Sequence, residues 1–136
     1  MTDDILLTFD HPAVFRQKVT AAFDGGLISS DGGLVLLREE ERRICLADLL
    51  ANCLRDRRDP ALVTHGLAGM LRFRMLAVAC GYEDADDCDS LRFDPLFKLA
   101  VGRAPESGHE LCSQPTMNRL ENMPSRIEAV QITAGP

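Results

Sequence analysis

The sequence predicts a mainly α-helical protein: a multi-helix bundle with a short N-terminal β-hairpin and a helix-turn-helix-like unit. Three observations predict it. Apolar residues recur at helical spacing over most of residues 34–128. Capping signals, two Asp-Pro pairs and one Ser-x-x-Glu, punctuate that stretch. Ahead of it stands a β-compatible run with an Asp-Gly turn signal. The expected boundaries are a loosely ordered lead-in over 1–16, a hairpin with turns over 17–33, a helical domain over 34–128 and a tail over 129–136.

The hairpin is read from Val19–Phe23, the turn Asp24-Gly25-Gly26, and the return Leu27–Ser30. A type I′ turn needs positive φ, which Asp-Gly supplies. A second Asp31-Gly32-Gly33 follows seven residues later. Neither GxGxxG nor GxxxxGK[ST] is present, so turn chemistry explains these glycines better than a phosphate-cradling loop.

From Leu34 the chain turns helical. Over Ile44–Leu54, the residues Ile44, Ala47, Leu50, Cys53 and Leu54 share one face. Arg55-Asp56-Arg57-Arg58 closes this helix, where cations suit the negative end of the dipole or, alternatively, contact phosphate. Asp59-Pro60 predicts a second start, because Asp caps free N–H groups and Pro at the first position wastes no hydrogen bond. The helix expected over 60–80 is the most apolar in the chain and should be central, ending at Gly81. Arg72 and Arg74 on it need partners, and the acidic stretch 83–89 is near in sequence.

Glu83–Leu91 reads as a short acidic helix. Its carboxylates suit a first turn; a divalent cation is the alternative, although no EF-hand spacing fits. Asp94-Pro95 opens another short helix, stopped by Gly102. Residues 103–112 form a loop, and Ser113 opens a helix through Asn122. Ser125–Glu128 is a capping box that begins one more helix. That helix barely starts before the final Gly135-Pro136, which suggests a truncated tail.

Composition narrows the function classes. The chain has 136 residues, 46% hydrophobic and 26% charged, which fits one globular domain. The net charge of −6 gives no support to binding nucleic acid by overall charge. Its distribution is uneven: residues 38–82 hold eight Arg against six acids, while 83–97 hold six acids against Arg92. Cations are almost all arginine, thirteen to two lysines. Arginine bonds phosphate and guanine in bidentate fashion, although a GC-rich coding bias gives the same enrichment. The five cysteines form no CxxC, and Cys45 and Cys53 share a helical face, as reduced, buried core thiols of a cytoplasmic protein would. His11, His65 and His109 are too scattered for a metal site. No signal peptide is visible, and no apolar run reaches the ~18 residues of a membrane span, so no membrane partner is expected.

The short helices at 84–91, 95–101 and 113–123 suggest a helix-turn-helix with an extended loop, the last helix being the reader. Its first turns expose Ser113, Gln114, Thr116, Asn118 and Arg119. Asn and Gln pair with adenine, Arg with guanine, and Ser or Thr with base or backbone. An ordinary amphipathic surface helix has the same residue types.

Four segments in order resemble the opening of one group of DDE-class insertion-sequence transposases. They are Phe23–Leu34 (FDGGLISSDGGL), Ala79–Asp87 (ACGYEDADD) continuing to Leu91–Pro95 (LRFDP), Phe97–Arg103 (FKLAVGR) and Ser113–Asn122 (SQPTMNRLEN). The resemblance covers about residues 19–128. It implies DNA transposition, with double-stranded DNA at the element's terminal inverted repeats as partner and Ser113, Gln114, Thr116, Asn118 and Arg119 as the DNA-binding set. It also implies that full-length relatives use Mg2+, held by three carboxylates on an RNase H-like domain. Asp24, Asp31 and the 84–89 acids do not match that triad. No catalytic residue, metal ligand or cofactor is therefore expected here, and the chain alone is expected to be inactive. The expected protein partner is a downstream catalytic segment or, as a homodimer, a second copy of the chain; the alternative is a non-functional remnant of a frameshifted transposase or one half of a split transposase.

Overall fold

The computed structural model describes residues 8–22, 31–105 and 108–134. Among these residues an antiparallel hairpin, β1 (Thr8–Val14) and β2 (Gln17–Ala22), precedes seven α-helices. These are α1 (Leu34–Ile44), α2 (Leu46–Cys53), α3 (Leu67–Ala79), α4 (Cys88–Leu91), α5 (Pro95–Ala100), α6 (Gln114–Glu121) and α7 (Arg126–Ala134). The mainly helical class with an N-terminal hairpin is as the sequence predicts.

The hairpin lies earlier than expected. Its turn is Phe15-Arg16, and residues 8–14, read as lead-in, are its first strand. The register shifts between His11 and Val14, around Pro12, which has no N–H to give the ladder. The expected turn at Asp24-Gly25-Gly26 and the return over Leu27–Ser30 lie outside the described residues. The second Asp-Gly-Gly leads into α1: the Asp31 carbonyl accepts from Leu34 N at 2.8 Å, and its carboxylate accepts from the Tyr82 hydroxyl at 2.9 Å.

The core gathers around α3. Phe73, Met70, Leu76 and Ala77 of that helix meet Leu34 of α1, Phe97 and Ala100 of α5, and Met117 and Leu120 of α6. The Phe73 and Phe97 rings meet edge-to-face with centroids 5.7 Å apart, and Tyr82 stands 6.1 Å from Phe97 on another side. Such aromatic pairs add about 0.5–1.5 kcal/mol beyond the area they bury.

Two expected helices are broken, each for a visible reason. The stretch 34–54 divides at Cys45, whose φ of 54° is left-handed. The Glu41 carboxylate reaches past this junction and accepts from Ala47 N at 2.9 Å, so it caps α2. Cys45 is consequently exposed and Cys53 half-buried, which corrects the expected pair of buried thiols. The expected helix 60–80 begins only at Leu67. Asp59 caps a single 3-10 turn, Pro60–Leu62, by accepting from Ala61 N at 3.0 Å. Beyond it, the Arg58 guanidinium takes the His65 carbonyl at 2.9 Å, an acceptor that a continuous helix would have used internally. Gly66 then enters α3 from extended backbone.

Arg72 and Arg74 find partners other than the expected acidic side chains. Arg72 donates to Glu41 at 2.8 Å and to Asp48 at 2.9 Å, tying α3 to α1 and α2. Arg74 pairs with Glu121 of α6 and donates to the Tyr82 and Glu83 carbonyls. Gly81 (φ +96°) and Gly102 (φ +83°) stop α3 and α5 in the left-handed conformation that the sequence placed there. The capping box is reciprocal: Ser125 N donates to Glu128 at 2.7 Å, and Glu128 N donates to the Ser125 hydroxyl at 3.3 Å.

Candidate nucleic-acid interface

Helix α6 begins after extended Ser113, with Pro115 in its first turn, where the missing N–H costs nothing. Met117 and Leu120 turn inward onto the core, which fixes the faces the other residues present. The residues singled out by sequence do not all face the same surroundings. Gln114 faces the acidic segment. Gln114 N donates to Asp89 at 2.8 Å, and its side-chain amide donates to Asp86 at 2.9 Å. The positive end of α6 is thus already neutralised by carboxylates from residues 86–89. Those acids were expected as solvated caps of their own helix; Asp84 does cap Asp86 N at 3.0 Å, but Asp89 caps α6 from a distance in sequence.

Thr116 and Arg119 face the other way. They line a groove of about 620 Å³ whose opposite wall is the segment 57–65. Thr116 stands 3.2 Å from the Ser113 hydroxyl, oxygen to oxygen. Arg119 is exposed and donates to no acceptor among the described residues. Asn118 is half-buried, and its carbonyl accepts from the Asn122 side chain at 2.8 Å.

Three arginines line this groove, Arg57, Arg58 and Arg119, against one carboxylate, Glu110. Glu110 is itself paired with Arg92. Arg58 is a brace: it grips Asp56 through Nε at 2.8 Å and Nη2 at 2.6 Å, and that bonding raises its pKa. Arg57 extends into solvent, 3.7 Å from Glu128. An exposed cation is available to a phosphate, whereas a braced one is chiefly a wall.

His65 belongs to this groove and to a second one beside it. Burial, then the neighbouring Arg103, push its pKa down, which favours the neutral ring. Its Nδ1 lies 3.0 Å from Arg103 Nη2 and therefore accepts that bond, which leaves the proton on Nε2. The second groove, about 580 Å³, is bounded by the hairpin tip Phe15-Arg16 on one side and by Thr64, His65, Arg103 and His109 on the other. Sequence reasoning missed this contribution because Phe15-Arg16 contains none of the usual turn residues, and because Thr64, His65 and Arg103 come together only through the fold.

Among the described residues no group of three His, Cys, Asp or Glu side chains is placed to hold a metal ion. Among the same residues no helix is long and apolar enough to cross a membrane.

A helical body thus presents an arginine-lined groove beside a short surface helix. Comparison with known families supplies the assignment. The family model described as "Transposase DDE domain group 1" matches residues 11–134, nearly the whole chain. The chain belongs to this transposase family. No curated protein and no solved structure matches it. DDE chemistry requires carboxylates converging on divalent metal. The described residues do not fit such a group.

Proposed function

We propose that this chain is the DNA-binding portion of an insertion-sequence transposase and recognises the terminal inverted repeats of its element. In this reading, strand transfer depends on an RNase H-like catalytic segment outside the described residues. The observation that supports it most is the separation of charge across α6. Gln114 is held by Asp86 and Asp89, while Thr116 and Arg119 open onto a groove with Arg57. Of the five residues read from sequence, Thr116 and Arg119 are therefore the favoured base-edge and phosphate contacts. Ser113 and Asn118 stay in the binding set with a supporting role, and Gln114 reads DNA only if it leaves Asp86. The net charge of −6 matters little at this distance scale, because charges beyond about 8–10 Å are screened at physiological salt.

The Arg119 side chain donates to no acceptor among the described residues, so its removal separates binding from folding. Arg119→Ala should leave the melting temperature unchanged and cost about 1–3 kcal/mol of specific binding if it meets a base. The measurement is a sequence-preference profile from a randomised duplex pool, compared between wild type and variant. Loss of preference at one position supports base contact. An unchanged profile with unchanged affinity would return α6 to the status of an ordinary surface helix.

A further inference from the structure

We infer that the tip of the β1–β2 hairpin is a second DNA contact, in which Phe15 stacks on a nucleobase and Arg16 and Arg103 hold the neighbouring phosphates. The inference rests on the DNA-binding reading above and adds to it a site that α6 does not contain.

Phe15 is 89% exposed, and its φ of 57° lies in the left-handed region. Glycine and asparagine adopt that conformation readily, and a phenylalanine there is strained. The fold gains nothing from the side chain, since an aromatic ring so exposed contributes almost no burial. A strained, solvent-facing aromatic is positioned for something outside the molecule.

Its surroundings decide what that is. The groove below Phe15 is lined by Arg16, Thr64, His65, Arg103 and His109, with no carboxylate among the described residues of its walls. A nucleic-acid strand meets what it needs: a π-face for a base and guanidinium groups for its backbone. The Arg103 guanidinium is oriented by His65 Nδ1 and by the His109 and Glu110 carbonyls, so it is held in place before any ligand arrives. Thr64 and His65 line both grooves, so a strand crossing the α6 groove continues directly under the hairpin tip.

The chain contains no tryptophan, which makes Phe15→Trp a clean reporter. The probes are a 30-nucleotide oligothymidine strand and a 30-base-pair random-sequence duplex at low salt. The expected result is quenching of the indole emission as either DNA saturates the protein. Phe15→Ala should weaken binding about tenfold, the lower range for one stacked base, and Arg16→Ala should reduce the salt slope by about one. Both substitutions are at exposed positions, and circular dichroism should confirm an unchanged fold. If Phe15→Trp binds without a change in emission and Phe15→Ala binds as tightly as wild type, the hairpin contact is overturned while DNA binding stands. If the wild-type chain binds neither probe, the hairpin contact and the DNA-binding reading fall together.

Discussion

Replacing Glu41 by alanine removes a buried side chain that joins α1, α2 and α3. Its carboxylate is 5% exposed, accepts from Ala47 N at 2.9 Å and pairs with Arg72 at 2.8 Å. Breaking a buried ion pair by deleting one partner costs about 3–5 kcal/mol. Arg72 is 20% exposed and keeps Asp48 at 2.9 Å, so the electrostatic part belongs below that range, near ~2 kcal/mol. The orphaned Ala47 N–H adds about 1 kcal/mol, as for loss of a helix cap. The expected total for Glu41→Ala is about 3 kcal/mol, or roughly 10 °C in melting temperature at this chain length. Asp48→Ala is the control. Asp48 is 54% exposed and shares the same arginine, so its loss should cost no more than about 1 kcal/mol. Urea denaturation of the wild type and both variants measures the difference. If Glu41→Ala and Asp48→Ala fall within about 0.5 kcal/mol of each other, Glu41 does not organise the three helices and the explanation given for the break at Cys45 is wrong.

Thiol accessibility checks the packing independently. Cys45 is exposed, while burial pushes the Cys88 and Cys112 thiols up to about 11. At pH 8 an alkylating reagent read by mass spectrometry should modify Cys45 first and reach Cys88 and Cys112 only on unfolding; equal rates would contradict the core described. Acid should loosen α7. Hydrogen bonds from Ser125 and from Arg55 N hold the Glu128 carboxyl down to about 2, against an ordinary value of 4.5. Its contribution is therefore complete above about pH 4.5 and is lost as pH falls toward 2. The stability gap between wild type and Glu128→Gln should narrow over that window, and a gap independent of pH would refute the assignment.

Signals within one turn of chain were legible from sequence. Asp94-Pro95 starts α5, Gly81 and Gly102 end helices, and Ser125 and Glu128 close a box, because each acts on backbone within a few residues. What was not legible depends on distant partners. The break at Cys45 follows from Glu41 bonding Ala47 across it while paired to Arg72, 31 residues away. The delayed start of α3 follows from Arg58 bonding the His65 carbonyl. The α6 set shows the same division. Residue types pointed to Ser113, Gln114, Thr116, Asn118 and Arg119 alike, but which of them meets carboxylates and which meets arginines depends on how residues 86–89 and 57–65 pack around the helix. A one-dimensional pattern contains the helix and its apolar face, and not the charge of the neighbours.

Recognition of the element's ends is the central claim, and selection from a randomised duplex pool tests it most directly. The recovered sequence and a scrambled version of equal composition are then titrated with this chain over a range of salt concentrations. Specific readout predicts a single enriched motif, bound at least tenfold more tightly than its scrambled form, with a preference that persists as salt weakens both. Equal affinity for the two duplexes, or no enriched motif, would contradict it.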